Sequence, residues 1–359
     1  MPQSSMKAFA DIDQFEWSLG DRDIVLDVWP GFVVKRDMNR VLEATCATMN
    51  NELQFAFDQR LGLDTEDWRE IDLLPTIQLV AGMMPCLLRP IVGTLAGIQA
   101  WPTKMSQWMV PLWKKRLEAL QVDREDPTHN EPLDLTQMVI RYAHTERPRG
   151  LDNYTGITAR MASLNFGTVH RTAMQASNLF LDVIASDTES LIVAVLRADS
   201  VGHKTLRLNS FGNQSTFRKI MAGDFKTPDG THIPQGTPIS SFSQPGYTDV
   251  STAEDPDKFA PFRFSRLREQ AGDKGLPLGL VSTSQEFLTF SHGNYACPGR
   301  FLIDLELKMV LTHVLRNYNL EFPEEYNGQR PPNTWLAGAV FSPKGVKIMV
   351  KRREIKFSK

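Results

Sequence analysis

Phe287–Leu311, "FLTFSHGNYACPGRFLIDLELKMVL", sets a cysteine between two glycines and a proline, then runs into an apolar-periodic segment. Gly293 and Gly299 permit tight backbone, and Pro298 suits a first helical position, where its missing N–H is not needed. The pattern predicts a loop that ends at a helix N-terminus. Cys297 would stand beside free amides and the positive end of the helix dipole, a setting that favours a thiolate. Phe290 is close enough across the turn to shield one face of whatever the sulfur binds.

Three roles compete for such a cysteine. It can be a packed structural thiol, or a nucleophile activated by His292, which needs only a hydrogen bond between the two. It can also be an axial thiolate on haem iron, the role that accounts together for the glycines, the helix start and the aromatic shield.

Outside this stretch the composition is that of an ordinary globular chain: 359 residues, 42% hydrophobic and 23% charged. Forty Lys plus Arg against 42 Asp plus Glu leave a formal net charge of −2, so no basic field argues for a nucleic-acid partner. Cys46, Cys86 and Cys297 are far apart and odd in number, which fits a reducing compartment and excludes a four-thiolate zinc site. The N-terminus lacks the basic start and apolar centre of a secretory signal. The most apolar region, Leu73 to Trp101, is broken by Pro75, Pro85, Arg89, Pro90 and Gln99, so it reads as buried helices or a surface touching lipid, not a span.

Residues 1 to about 205 read as mostly helical. Apolar periodicity predicts helices over Val41–Leu61, Lys104–Leu120 and Leu133–Ala143, and "VDREDPTHNEP" (Val122–Pro132) reads as a loop. A helix over about 154–185 carries apolar residues all round, as one running through a core would. After a short helical piece at Ala194–Leu208 the pattern changes. Asp-Gly, Gln-Gly and Pro-Gly turns between β-prone runs predict hairpins, "DPDKFAPFRFSRLRE" and the stretch to Leu280 read as a meander, and a β-prone tail follows the cysteine helix, which should run to about Asn319.

"FSHGNYACPGR" resembles the haem-binding loop of the cytochrome P-450 monooxygenases, Phe-x-x-Gly-x-(Arg or His)-x-Cys-x-Gly, with Phe290, Gly293, Cys297 and Gly299 in place, Tyr295 at the basic position and Arg300 following. "DPDKFAPFRFSR" is similar to that family's Pro-x-Arg-Phe segment, carried by Pro261, Arg263 and Phe264. "FSQPGYTD" and "RPPNTWLAGAVFSP" look most like fungal members that oxidise terpenoid and indole-alkaloid intermediates. The resemblance covers nearly the whole chain and is strongest from Leu206 onward.

The chain departs from the family pattern in four ways. In "DSVGHKTLRLN" the family's Glu-x-x-Arg pair becomes Lys204 and Arg207, so its charge network would gather Lys204, Arg207 and Arg263 with no acid among them, at a cost of several kcal/mol unless something compensates. In "NFGTVHRTAMQ" the acid position is His170, as in many fungal members, the threonine position is Arg171, and Thr172 comes next. Tyr295 offers a propionate one hydrogen bond and no charge. Finally, the chain is short for the family: the match begins near "DQFEWSLGD", and stretches are missing near Met84-Pro85 and between Ala185 and Arg197.

The resemblance implies a mainly α fold with small β-sheets, the cytochrome P-450 fold incomplete at the N-terminus, as one domain over residues 1–359. It implies haem b held by Cys297, with Phe290, Gly293, Tyr295, Gly299 and Arg300 around it. Proton delivery would fall to His170 and Thr172, and Phe166–His170, Leu208–Asn213 and Leu336–Phe341 would touch an apolar substrate. Electrons would come from NADPH through NADPH-cytochrome P-450 reductase docking on the cysteine side. The expected location is the cytoplasmic face of the endoplasmic reticulum, by peripheral contact since the chain has no spanning segment, or the cytosol. The competing expectation is a truncated, catalytically silent P-450-like protein that binds haem weakly or not at all.

Overall fold

A computed structural model describes residues 9–11, 29–83, 101–122, 131–151, 153–186, 197–250, 255–272, 278–336 and 338–354. In chain order the helices are α1 (Trp29–Val33), α2 (Asn39–Leu61), α3 (Leu73–Met83), α4 (Trp101–Val122), α5 (Leu135–Glu146), α6 (Tyr154–Asn165), α7 (Arg171–Ala185), α8 (Ala198–Leu208), α9 (Gln244–Thr248), α10 (Arg263–Ala271) and α11 (Arg300–Asn317). The strands are β1 (Phe9–Asp11), β2 (Arg69–Asp72), β3 (Gln214–Ile220), β4 (Phe225–Lys226), β5 (His232–Ile233), β6 (Pro238–Phe242), β7 (Tyr318–Glu321), β8 (Thr334–Leu336), β9 (Ala339–Phe341) and β10 (Lys347–Arg352). Two antiparallel three-stranded sheets, β1-β3-β6 and β2-β10-β7, stand beside the small pairs β4-β5 and β8-β9. The mainly helical class with small sheets is as the sequence predicts.

The centre of the molecule is α7. Every residue from Thr172 to Val183 except Met174 is buried, and the helix packs against α3, α8 and α11. It continues α6 through one π-helical turn, Phe166–His170, so the single helix predicted over 154–185 is two α-helical parts joined by a wider turn. One hydrophobic cluster runs from Trp29 to Val350, with Cys297 packed against it.

Two local readings are corrected. The meander contains the nine-residue helix α10, whose only buried residue is Phe264. With four charged residues among nine and a single buried apolar anchor, periodicity had little to register. "QPGYT", read as a turn, is the short helix α9, with proline in its first turn and Tyr247 buried. The predicted hairpins are present: Gly230 and Gly236 take φ of 87° and 86° in the turns between β4, β5 and β6. The predicted loop at 122–132 falls mostly outside the described residues, as do Cys86, the apolar stretch 84–100, and 187–196. Among the described residues no helix is long and apolar enough to cross a membrane.

Candidate active site

The cysteine loop is closed by its own backbone. The Cys297 N–H donates to the Phe290 carbonyl at 2.9 Å, and Ala296 N–H to Gly293 O at 3.2 Å. Gly293 has φ of 70°, the left-handed region in which a side chain is strained, so the loop needs glycine there. Gly299 does not: its φ of −81° is helical, and a Cβ built on it would stand 4.0 Å from the Cys297 sulfur. What that glycine leaves open is the flank of the sulfur.

Helix α11 starts at Arg300 with no side-chain cap; the Arg300 amide donates to the Cys297 carbonyl at 3.4 Å, and the backbone of Gly299 and Arg300 acts to hold the Cys297 thiol down. Burial nevertheless pushes the thiol up, against these amides and the Arg171 and Arg300 guanidiniums. The expectation that the helix terminus by itself makes a thiolate is therefore corrected: the desolvated sulfur needs a bonded cation to ionise it. The Arg300 guanidinium is folded back, donating to Cys297 O at 2.9 Å and lying 4.2 Å over the Phe301 ring.

Phe290 is 3% exposed and meets Phe211 edge-on at 6.2 Å. His292 is exposed, its Nδ1 3.2 Å from Thr283 Oγ1, and no hydrogen bond joins it to Cys297. The nucleophile pairing thus has no geometry to support it. The loop backbone of Tyr295 is described, but its side chain lies outside the described residues, as does that of Phe166. Among the described residues no group of three or more His, Cys, Asp or Glu could hold a metal ion unaided. A single, partly buried cysteine in a tight loop beside the buried Phe290 would suit haem, a cofactor that brings its other metal donors with it, and Cys297 is the residue that would hold it.

On the central helix, His170 ends the π turn with Nδ1 3.2 Å from Gln78 Nε2 of α3, and burial pulls its pKa down. Thr172 is 1% exposed and donates to Glu306 Oε2 at 3.0 Å. Glu306, on α11, is 2% exposed and pushed up to about 8 by burial, so it holds its proton at neutral pH. His170 and Thr172, two positions apart in sequence, thus face different helices. Sequence reading passed over Glu306. The signal was an acid on the apolar face that Leu302, Ile303, Leu307 and Val310 define.

Lys204, Arg207 and Arg263 do converge. Lys204 is fully buried, with Nζ 3.1 Å from Pro256 O; Arg207 donates to the same carbonyl, and Arg263 to Asp255 O at 3.0 Å. Backbone carbonyls of the Pro-x-Arg-Phe approach thus occupy the place of the absent acid. The compensation is partial. Burial, then Arg207 and Arg263, pull the Lys204 ammonium from 10.5 to about 7, and burial and Arg263 pull Arg207 to about 10. Between about 7 and 10.5 the unfolded chain holds the Lys204 proton more tightly than the folded one, so native stability rises with pH across that window. Lys204→Glu is expected to raise stability in urea at pH 7 by on the order of 2 kcal/mol, with Lys204→Gln falling between; no gain in either variant would refute the cost assigned to the cluster.

The β8-β9 hairpin lies against the Phe211 segment, with Trp335 and Leu336 49% and 65% exposed. It is stitched to the segment after α8 by Asn213 N–H to Gly338 O at 2.9 Å and Val340 N–H to Phe211 O at 3.1 Å. Just before the hairpin, Arg330 reaches into the core: it meets Asp182 Oδ1 at 2.6 Å, Asn178 Oδ1 at 2.8 Å and Asn209 Oδ1 at 3.2 Å. Asn209 in turn donates to Asp182 Oδ2 at 2.8 Å. These residues tie α7, α8 and the hairpin together; of them only Asn209 lay in a stretch assigned a site role from sequence, and there it was expected to touch substrate, whereas its side chain is engaged by Asp182, Arg330 and Asn333.

The fold and the cysteine loop together define a haem-thiolate protein. A solved structure of P-450 OxyD, described as involved in biosynthesis of vancomycin-type antibiotics, matches with a TM-score of 0.56 at 17% identity, covering 90% of this chain and 75% of that one. The cytochrome P-450 family model matches residues 198–350. Cytochrome P-450 monooxygenase pbrC of Penicillium brasilianum is 37% identical, over 98% of this chain and 81% of the relative. Monooxygenase astC of Aspergillus terreus is 36% identical over 98% and 82%, and tenB of Beauveria bassiana 30% over 98% and 78%. This chain belongs to the cytochrome P-450 monooxygenases, oxidoreductases whose cofactor is haem. The alignment with pbrC runs over 436 positions against 359 residues, so that relative carries stretches with no counterpart here.

Proposed function

We propose that the chain oxidises an apolar natural product, of terpenoid or indole-alkaloid type, by inserting one oxygen atom of O2 into a C–H bond. The other atom leaves as water, with two electrons supplied by NADPH through its P-450 reductase and two protons from solvent. Haem, when bound, supplies the oxygen activation. The observation that carries the reading is the partly buried Cys297, packed against the main core in a loop closed by its own N–H to the Phe290 carbonyl at 2.9 Å and followed directly by helix α11.

Cys297 would hold the iron, and Phe290 would cover the loop side of the site. Tyr295 would hydrogen-bond a propionate, with Gly293 and Arg300 keeping the loop shape. His170, kept neutral by burial and set beside Gln78, would pass protons inward from the π turn. Thr172 is held by Glu306, and the two form a second buried proton-bearing pair behind the helix. Phe211 and the β8-β9 hairpin would exclude water from the substrate. The reductase would dock on the cysteine side, and the expected setting is the cytoplasmic face of the endoplasmic reticulum.

The Lys204, Arg207 and Arg263 cluster supports a second reading, a silent P-450-like chain with poor haem retention. One spectrum separates the two: purified protein reconstituted with haemin, reduced under carbon monoxide, is expected to show the red-shifted Soret band of a thiolate ligand. Absence of bound haem would leave the silent reading in possession.

A further inference from the structure

Lys204 is fully buried on α8, one turn before Arg207, and the two side chains donate to a single acceptor, the Pro256 carbonyl. Ammonium and guanidinium therefore lie side by side. Arg263, which donates to the neighbouring Asp255 carbonyl at 3.0 Å, adds a third cation. The charges of Asp257 and Asp182 are felt at Lys204, yet among the described residues no carboxylate forms an ion pair with Lys204 or Arg207. The Nε of Arg207 is buried with no acceptor among the described residues. Nε and Nη2 of an arginine form a fork that matches a carboxylate, and of this fork only Nη2 is engaged, by a neutral carbonyl.

The group that answers such a set is a carboxylate within reach of both residues, and the Lys204 amine can itself become one. We propose that Lys204 is a modification site, carboxylated by dissolved carbon dioxide to a lysine carbamate. The amine lone pair attacks the CO2 carbon, a C–N bond forms as one C=O π bond opens onto oxygen, and a proton leaves the nitrogen for solvent. No oxidant or reductant enters. The product keeps one N–H for the Pro256 carbonyl and sets a negative charge beside Arg207 and Arg263, so three like charges become two cations around an anion. The attack needs a neutral amine. Burial, then Arg207 and Arg263, bring Lys204 from 10.5 to about 7, whereas ordinary lysines stay protonated at pH 8. Carbon dioxide is small and uncharged, so it enters a buried site without the cost of desolvating an ion.

The test holds the full chain at pH 8 and constant ionic strength, in CO2-free buffer or in buffer equilibrated with 13C-labelled bicarbonate. Wild type is expected to show a carbamate resonance that is missing from Lys204→Gln, in which only the terminal α-amine can still react. In urea titrations, bicarbonate should raise the folding equilibrium constant of wild type at least ~10-fold. Lys204→Gln should not respond, and neither should Lys204→Glu, which carries its carboxylate permanently. Carbamate spectra that are the same in wild type and Lys204→Gln, or an equal stability gain in both, would overturn the assignment. So would a gain in wild type without the Lys204-dependent resonance, which would give the cluster to a bicarbonate ion bound without a covalent link. Neither readout involves haem or turnover, so failure of the proposed oxidation leaves this result standing by itself.

Discussion

With Cys297 replaced by alanine, haemin-reconstituted protein reduced under carbon monoxide is expected to show no red-shifted Soret band and to retain haem at least ~10-fold more weakly than wild type. Only a thiolate donates enough charge through the iron to produce that band, so the spectral effect is all-or-none. The other described cysteine, Cys46 on α2, is half-buried far along the chain, and Cys46→Ala should change neither readout. Loss of the sulfur removes one small, partly buried group, worth about 1 kcal/mol of packing, so circular dichroism should show the α-helical content unchanged. Cys297→Ser is the sharper variant. It keeps the loop volume, yet its hydroxyl gives up no proton near neutral pH and should fail equally. A variant at position 297 that keeps the band would remove Cys297 as the ligand.

Arg330→Leu should cost about 3–5 kcal/mol of stability at pH 8, the largest loss expected of any single change outside the cysteine loop. The arginine is the ion-pair partner of Asp182, which is 4% exposed and in the variant loses that pairing while keeping Asn209. Burial already pushes Asp182 from 3.8 to about 6 despite Arg330. Between those values the folded state holds the proton more tightly than the unfolded chain, so stability from this group falls as pH rises through the window and is level above it. Without Arg330 the folded value climbs further. The deficit of Arg330→Leu should therefore be large at pH 8 and much smaller at pH 5, where a neutral carboxyl suffices. Pairing Arg330→Leu with Asp182→Asn should recover most of the loss at pH 8. A deficit equal at the two pH values, with no recovery in the double variant, would show that the network acts by packing alone.

The contrast between these sites shows what the chain discloses before it folds. Cys297 was legible because its neighbours are chemically unusual within eleven residues: glycines, a proline and an aromatic at fixed offsets. Long helices such as α2 and α4 were legible through period. Arg330 and Asp182 are 148 positions apart, joined by a contact that no local pattern encodes. Lys204 was visible as an oddity, but not the carbonyls of Asp255 and Pro256 that receive its cluster, because backbone acceptors carry no residue-type signal. Glu306 hid in plain view on an apolar face, where a carboxyl that stays protonated behaves as a near-neutral side chain. Helix α10, with four charges among nine residues, depends on Phe264 and the Ser200 hydroxyl, which accepts from the amides of Phe264 and Ser265 at 3.1 Å.

The π turn at Phe166–His170 has a further consequence for how this chain can change. Such a turn holds one residue more than the α-helical count, so everything after it is rotated by about 100° relative to an uninterrupted helix. The hydroxyl of Thr172 meets α11 and the charge of Arg171 meets Phe211 because of that offset. Deleting a single residue from the turn would swing both to new neighbours without altering any side chain. Insertion and deletion here work as a dial: the same letters, indexed one step round, would present a different chemistry to the sulfur.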